Sequence, residues 1–395
     1  GKSEMLPLQA FGAWDSRWYA YNTETALAQI DSYHNRNLPL DMLVIDTDWR
    51  DSSGGTGYNI NTTLFPDMSE FINLAHRKGV GLMFNDHPEP TTTNGVSNNV
   101  LNADEINFRF SNLTNILKLG VDAWWYDRNW WTTIQPIEGF THEVIGAAVY
   151  ADAFHSVYPN RRLLMMSNID GIYNGAFNGA ANIAAHRYSI EWTGDNEEHQ
   201  GTILREISNM LKRGTDAAIP YTSADLCAHQ TQLDSMTEEE YIRWIQFGVF
   251  SPIFRPHVTY SEIGRMPWYY GDNAVNAYRD YVNMRYRLLP VFYALSNESY
   301  NTGMPIFREM TFDYPAYAEA NREDQYLLGE DILIAPVVED IDLLPTDWLT
   351  AEDGTPGATV RYYNNKEMSG TPVKTETIGQ ILLEAADNAP SEGVN

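Results

Sequence analysis

Runs of apolar residues that stop at a carboxylate recur along the chain, each followed by a segment with helical spacing. Met42–Ile45 leads into Asp46–Thr47–Asp48–Trp49, the continuous apolar pattern of a strand buried on both faces of a parallel sheet. Phe11–Asp15, Val80–His87, Ala123–Asp127, Arg162–Asn168, Tyr188–Asp195, Ala217–Asp225 and Ser251–His257 repeat the theme. Helices are predicted over Thr23–Asn37, with Thr23 as cap, and over Met68–Lys78, Asp104–Leu119 and Gly139–Tyr158. Further helices are predicted over Glu198–Arg213, Thr237–Gly248 and Asn273–Tyr300. Eight strand–helix alternations make an α/β chain, and the expected architecture is a TIM-type parallel (β/α)8 barrel over 1–303. Past Met304 the helical spacing fades. Met304–Phe312 and Asp331–Val338 read as strands, so 304–395 is expected to hold a partial, truncated β-sandwich with a loop-rich tail.

The polar residues fall at one place in this repeat. Asp15, Asp46, Asp86, Asp127, Asp195, Asp225 and His257 all stand at or just beyond the C-terminal end of a predicted strand. In a parallel barrel that rim is where chemistry is done, and a merely solvated face would not repeat at a single position. Gly120–Trp131 is the most unusual stretch, a strand that ends in a carboxylate flanked by tryptophans. Period-two alternation puts Ala123, Trp125 and Asp127 on one side and Trp124 and Tyr126 on the other. Taken alone, it reads equally as a reactive carboxylate in an aromatic pocket and as a core strand closed by a capping Asp.

Charge narrows the partners. With 53 acidic and 26 basic residues the net charge is -27, which argues against nucleic acid and anionic membrane surfaces. A hydrophobic content of 43% supports a large core rather than disorder. Eleven Trp and 24 Tyr suit stacking on sugar faces and suit a large core equally well. A single cysteine, Cys227, excludes internal disulfides and a cysteine-based zinc site. No run of about 18 apolar residues predicts a transmembrane helix. The abrupt start at Gly1–Lys2–Ser3, with no visible signal peptide, suggests an excised piece. An extracellular or periplasmic setting is favoured, and the oligomeric state is left open.

Among reaction types, several lack their motif. His-Glu-x-x-His is absent, His142–Glu143 is isolated, and aromatic residues beside Asp127 and Asp195 are unlike a hard-cation site, so no metal is expected. Gly-x-Ser-x-Gly is absent too, and the Gly-rich loop 51–57 lacks the Lys-Ser/Thr of a phosphate cradle. Two carboxylates in an aromatic cleft suit glycoside hydrolysis, one attacking the anomeric carbon and the other protonating the leaving oxygen. Asp195, in a compact loop after Trp192–Thr193–Gly194, suits the acid. Asp127, beside Arg128, suits the nucleophile, and a retaining pair would stand about 5–5.5 Å apart.

A series of ordered motifs then resembles glycoside hydrolase family 31. They are Asp41–Asp48, Trp192–Asn196, Ser223–Cys227, Arg243–Pro252 with Arg255 and His257, Met284–Pro290 and Gly329–Val337. The likeness runs from Leu6 to Val338. It implies a retaining, exo-acting α-glycosidase, α-glucosidase-like, acting on an oligosaccharide or glycoside without a cofactor. Asp127 resembles the family nucleophile and Asp195 its acid/base. Asp46, Trp125, Trp192, Asp225, Arg255 and His257 match residues of the sugar pocket, and Asp86 and Arg128 join them as candidate substrate contacts. The resemblance also implies a β-sandwich before the barrel and β domains after it, the first missing here and the second incomplete.

Three departures touch the pocket. Arg128–Asn129–Trp130 replace the usual Met-Asn-Glu after the nucleophile. Met165–Met166 stand where a sugar-binding Arg is expected, unless His186 or Arg187 supplies it. His229, after Cys227–Ala228, replaces the aromatic that follows Cys-Gly. These changes leave room for an α-galactosidase, an α-N-acetylgalactosaminidase, a transglycosylase or a catalytically silent sugar-binding barrel.

Overall fold

The computed structural model describes residues 2–51, 57–87, 92–93, 96–97, 103–127, 142–172, 175, 181–182, 184–196, 202–229, 236–259, 264–338, 350–363, 365 and 369–378. The chain divides into two compact units, Gly1–Pro336 and Val337–Asn395. Eight parallel strands organise the first: β1 (Trp14–Arg17), β2 (Met42–Ile45), β3 (Gly81–Asp86), β4 (Ala123–Tyr126), β5 (Met165–Ser167), β6 (Ile190–Trp192), β7 (Thr222–Ser223) and β8 (His257–Val258). Their order is β8-β1-β2-β3-β4-β5-β6-β7, and a parallel bridge between Leu226 and Pro256 joins the two ends into a ring. The helices around these strands are α1 (Thr23–His34), α2 (Met68–Arg77), α3 (Ala103–Leu117), α4 (His142–Val157), α5 (Thr202–Ala217), α6 (Glu238–Val249) and α7 (Asp272–Thr302). An antiparallel sheet of β9 (Phe307–Glu309), β10 (Tyr326–Leu328) and β11 (Ile332–Ile334) follows. In the second unit β12 (Ala358–Tyr362) pairs antiparallel with β13 (Lys374–Ile378). A parallel barrel followed by antiparallel sheets is the class expected from the sequence. Among the described residues no helix is long and apolar enough to cross a membrane.

Local chemistry sets the element ends. Asn22, rather than Thr23, caps α1, with its side chain on the Thr25 N–H and Thr25 answering on the Asn22 N–H. Thr237 and Glu240 form the same reciprocal box on α6. The fifth helix begins at Thr202 and runs to Ala217, a turn beyond the sequence expectation. It stops where Ala218 takes a left-handed φ of 54°, and this shortens the following strand to Thr222–Ser223.

One buried cation ties the barrel together. Arg285 on α7 is fully buried, and its Nε donates to the carbonyl of Phe11 at 2.7 Å. Its Nη1 donates to Val249 and Ser251, each at 2.8 Å, and its Nη2 to Pro252 at 2.8 Å. The next residue, Tyr286, hydrogen-bonds Asp41 at the mouth of β2. Thus the Met284–Pro290 motif is an anchor at the base of the strands.

Candidate active site

Register decides which rim residues face the barrel axis. Residues paired across a parallel ladder share a face, and the pairs chain together as Ser16 with His257, Ser16 with Val44, Val44 with Met83 and Asn85 with Trp125. The same face continues through Met166, Ile190, Trp192 and Ser223. Two residues beyond Val44, Trp125 and Ser223 stand Asp46, Asp127 and Asp225, in phase with this inward set. Asp15 and Asp86 are one step out of phase. Asp15 accepts from Gln29 of α1 at 2.6 Å. Asp86 is fully buried, with Oδ1 on Arg50 at 2.7 Å and Oδ2 receiving the hydroxyls of Tyr58 and Tyr150, each at 2.5 Å. Both its oxygens are engaged and the residue is fully buried, so Asp86 anchors loop and helix rather than facing the barrel axis.

The inward residues interlock. Trp125 meets Trp192 and His257 edge-on, with centroids 5.0 Å apart in each case, and the Arg255 guanidinium lies 4.9 Å from its ring. Asp225 accepts from Trp192 Nε1 at 2.8 Å and is paired with Arg255, while Arg255 Nε reaches Ser223 Oγ at 3.0 Å. Ser16 Oγ lies 2.6 Å from His257 Nδ1. Burial first, and then the charge of Arg255, holds His257 well below the ordinary histidine range, so its ring is neutral. On the outer face of β4, Trp124 packs on Trp49 and Tyr150, and Tyr126 stacks on Tyr150. The alternation predicted for Gly120–Trp131 is thus present over Ala123–Asp127; the residues from Arg128 to Trp131 lie outside the described set.

Asp127 is half-buried, and Asn85 Nδ2 donates to its Oδ2 at 2.7 Å. Asp46 accepts from the Thr47 N–H at 2.8 Å. Burial, reinforced by the charge of Asp127, pushes Asp46 well above the usual carboxylate range, which favours its protonated, hydrogen-bond-donating form. Asp46→Asn, which keeps the shape and the hydrogen-bonding capacity of the protonated carboxyl that burial favours, should therefore cost less than about tenfold in kcat/KM. Asp46→Ala should cost on the order of a hundredfold. Equal losses in steady-state assays of the two variants would mean that the charge of Asp46 is what matters.

Asp195 sits in the loop after β6, where Gly194, at φ 79°, supplies a left-handed turn. The loop rests on Glu206 of α5, which accepts from Thr193 Oγ1 at 2.8 Å. Burial raises the Glu206 carboxyl to about 8 from 4.5, so its contribution to stability is present below the lower value and lost as pH rises through the higher one. Glu206→Gln cannot ionise. Thermal unfolding should show the variant gaining on the parent by up to about 1.4 kcal/mol for each pH unit between the two values. A pH-independent difference would contradict this.

Sequence reasoning notes His229 as a departure that touches the pocket but gives it no role, and it passes over Ser16, Asn85 and Ser223 as site residues. His229 follows Cys227 and Ala228, whose φ angles of 70° and 61° are left-handed at non-glycine residues, a conformation costing roughly 1–2 kcal/mol at each. The loop is held there by Arg265 on the Ala228 carbonyl (2.6 Å), by the His229 N–H on Asn196 O (2.7 Å) and by the Thr259 N–H on His229 O (2.8 Å). As a result His229 Nε2 lies 3.6 Å from Asp195 Oδ1, and Nδ1 lies 3.6 Å from Asp225 Oδ2. Its ring stacks on His257 at 5.0 Å with 12° between the planes. Met165 and Met166 fill β5, and Arg187 is exposed in the turn before β6.

Asp225, His229 and His257 have ligand-type atoms within 4.8 Å of one another. A cation would need lone pairs converging at about 2.0–2.2 Å. The two rings are almost parallel, so their in-plane lone pairs do not converge, and Asp225 already carries Arg255. The donor set as placed suits sugar hydroxyls better than an ion.

A parallel barrel whose C-terminal rim gathers carboxylates, indoles and imidazoles into one polar–aromatic cluster fits the class of carbohydrate-active barrels. The chain belongs to glycosyl hydrolase family 31: the family's TIM-barrel domain matches residues 3–107 and 93–295, and its C-terminal domain matches 303–378. Alpha-glucosidase 2 of Bacillus thermoamyloliquefaciens is 24% identical over 388 residues, covering 86% of this chain and 47% of that protein. Alpha-xylosidase 1 of Arabidopsis thaliana is 35% identical over 158 residues, 40% of this chain and 17% of that protein. The chain thus spans at most about half the length of these curated relatives. A family 31 alpha-xylosidase from a soil metagenome, solved with xylose, superposes with a TM-score of 0.70 at 22% identity over 87% of this chain and 58% of that one. The Flavobacterium johnsoniae dextranase solved with glucose gives 0.73 at 20% identity over 97% and 52%. At these identities the structures establish the shared fold.

Proposed function

We propose that this chain is the catalytic barrel, 1–303, with following β structure, of a retaining, exo-acting α-glycosidase. Asp127 is the nucleophile and Asp195 the general acid, then base. One observation carries the assignment: of the seven rim residues, Asp15, Asp46, Asp86, Asp225 and His257 are buried, whereas Asp127 and Asp195 alone are half-buried and open to a substrate. Asn85 holds one oxygen of Asp127 and leaves the other for the anomeric carbon. Asp46, the neutral ring of His257 and the Trp192-bound Asp225 offer hydroxyl contacts, and Trp125 gives the sugar an apolar wall. In the first step Asp195 protonates the leaving oxygen as the C–O bond breaks and Asp127 bonds to C1. In the second, water gives a proton to Asp195 and attacks C1, releasing Asp127.

Relatives named for α-glucosides and α-xylosides make these the first sugars to try. Aryl α-glucoside, α-xyloside, α-galactoside and α-N-acetylgalactosaminide should be assayed together, with the product anomer followed by NMR. The α-anomer appearing first is the expected result. A β-anomer would refute retention, and no turnover of any glycoside in a panel bound by the chain would favour a sugar-binding barrel.

A further inference from the structure

Three buried polar atoms in the site have no hydrogen-bond partner among the described residues: Asp225 Oδ2, His229 Nδ1 and His257 Nε2. They lie together, and the opposite nitrogen of His229 approaches Asp195. A neutral imidazole has one N–H and one lone pair. Set between the carboxyl groups of Asp225 and Asp195, a neutral ring shows its lone pair to one side and its N–H to the other, and the group against Nδ1 decides which. A sugar hydroxyl lodged against Asp225 and His257 can donate to Nδ1, and this places the ring proton on Nε2, toward Asp195. The neighbouring groups around the ring do not compete for that role. His257 is stacked face to face, Arg255 is committed to Asp225, and Arg265 is committed to the Ala228 carbonyl.

We propose that His229 is the positioning residue for Asp195: its Nε2–H donates to Asp195 Oδ1 and turns the other carboxyl oxygen toward the leaving group, while its Nδ1 accepts from a bound sugar hydroxyl. This rests on the reading of Asp195 as acid/base given above. The 3.6 Å separation is just beyond hydrogen-bond length, and a small ring rotation closes it. The backbone supports the same conclusion. Two consecutive left-handed residues carry the ring to this spot, and the His229 N–H is bonded to the carbonyl of Asn196, the neighbour of Asp195. A loop held in that conformation fixes the distance between the ring and the acid. An aromatic hydrocarbon ring at 229 would fill the volume and offer Asp195 no hydrogen bond.

The test compares kcat/KM, which reports the first chemical step, on two substrates of the sugar that the parent accepts. An alkyl α-glycoside needs its leaving oxygen protonated, whereas the α-glycosyl fluoride hardly does. His229→Phe should lower kcat/KM on both substrates through the lost hydroxyl contact, and by about 10–100-fold more on the alkyl glycoside than on the fluoride, whose remaining turnover reports intact folding. His229→Asn, which restores an N–H, should recover much of the loss. Asp195→Ala is the reference and should show the same selectivity more strongly. If Asp195→Ala shows no such selectivity, the acid/base assignment falls. If it does and His229→Phe does not, only the role of His229 is overturned. Should Phe abolish turnover of both substrates by overfilling the site, His229→Ala decides, and equal losses there also overturn the proposal.

Discussion

Asp127→Ala is expected to lower kcat/KM on every accepted α-glycoside by a factor on the order of 10⁴ or more. Without the carboxylate no covalent bond can form at C1, and the developing positive charge of the sugar loses its nearest anion. Asp127 is half-buried and its main tie to the barrel is the hydrogen bond from Asn85, so the fold should be barely affected. The truncated side chain also leaves space on the face opposite the leaving group. Added azide should enter that space and restore part of the turnover on activated substrates, giving the β-glycosyl azide. The two measurements separate chemistry from damage, since a misfolded variant would not be rescued by an anion.

The second large effect falls on stability. Arg285→Met should destabilise the barrel by about 3–5 kcal/mol, a large share of the roughly 5–15 kcal/mol that usually holds a domain folded. Methionine replaces the volume but leaves the carbonyls of Phe11, Val249, Ser251 and Pro252 buried without a donor. Burial pushes the Arg285 guanidinium down to about 9, a sign of how completely water is excluded there. Lysine, with one nitrogen instead of a planar fork, should recover only part of the loss. Chemical unfolding curves of the two variants check this. A midpoint close to that of the parent for Arg285→Met would show that the carbonyls find other partners.

Much of this is legible in the chain. Each strand of the barrel announces itself as an apolar run, and the run ends in the polar residue that the rim needs. Asp46, Asp127, Asp225 and His257 are legible in this way, and all four lie on the inward face. Asp86 holds an equivalent rim position and yet belongs to a buried cluster with Arg50, Tyr58 and Tyr150. The difference is one residue of phase. Pairing of Asn85 with Trp125 turns Asn85 inward and Asp86 outward, and that register depends on contacts between segments about forty residues apart. His229 is legible as a change at the pocket, but its role is hidden for another reason. Its place beside Asp195 depends on left-handed φ angles at Cys227 and Ala228, residue types that give no sign of such a turn. Helix ends escape the sequence pattern for the same kind of cause, as at Ala218, where a single positive φ moves the end of α5 and the start of β7.

The central claim is that a carboxylate at the end of β4 takes a sugar onto itself. A 5-fluoro-α-glycosyl fluoride of the preferred sugar forms such an ester quickly and releases it slowly, so mass spectrometry of the treated, proteolysed chain tests the claim directly. A single added fluoroglycosyl mass on the peptide containing Asp127, absent from Asp127→Ala, is the predicted result. Turnover without any adduct, or an adduct on a different carboxylate, would contradict it.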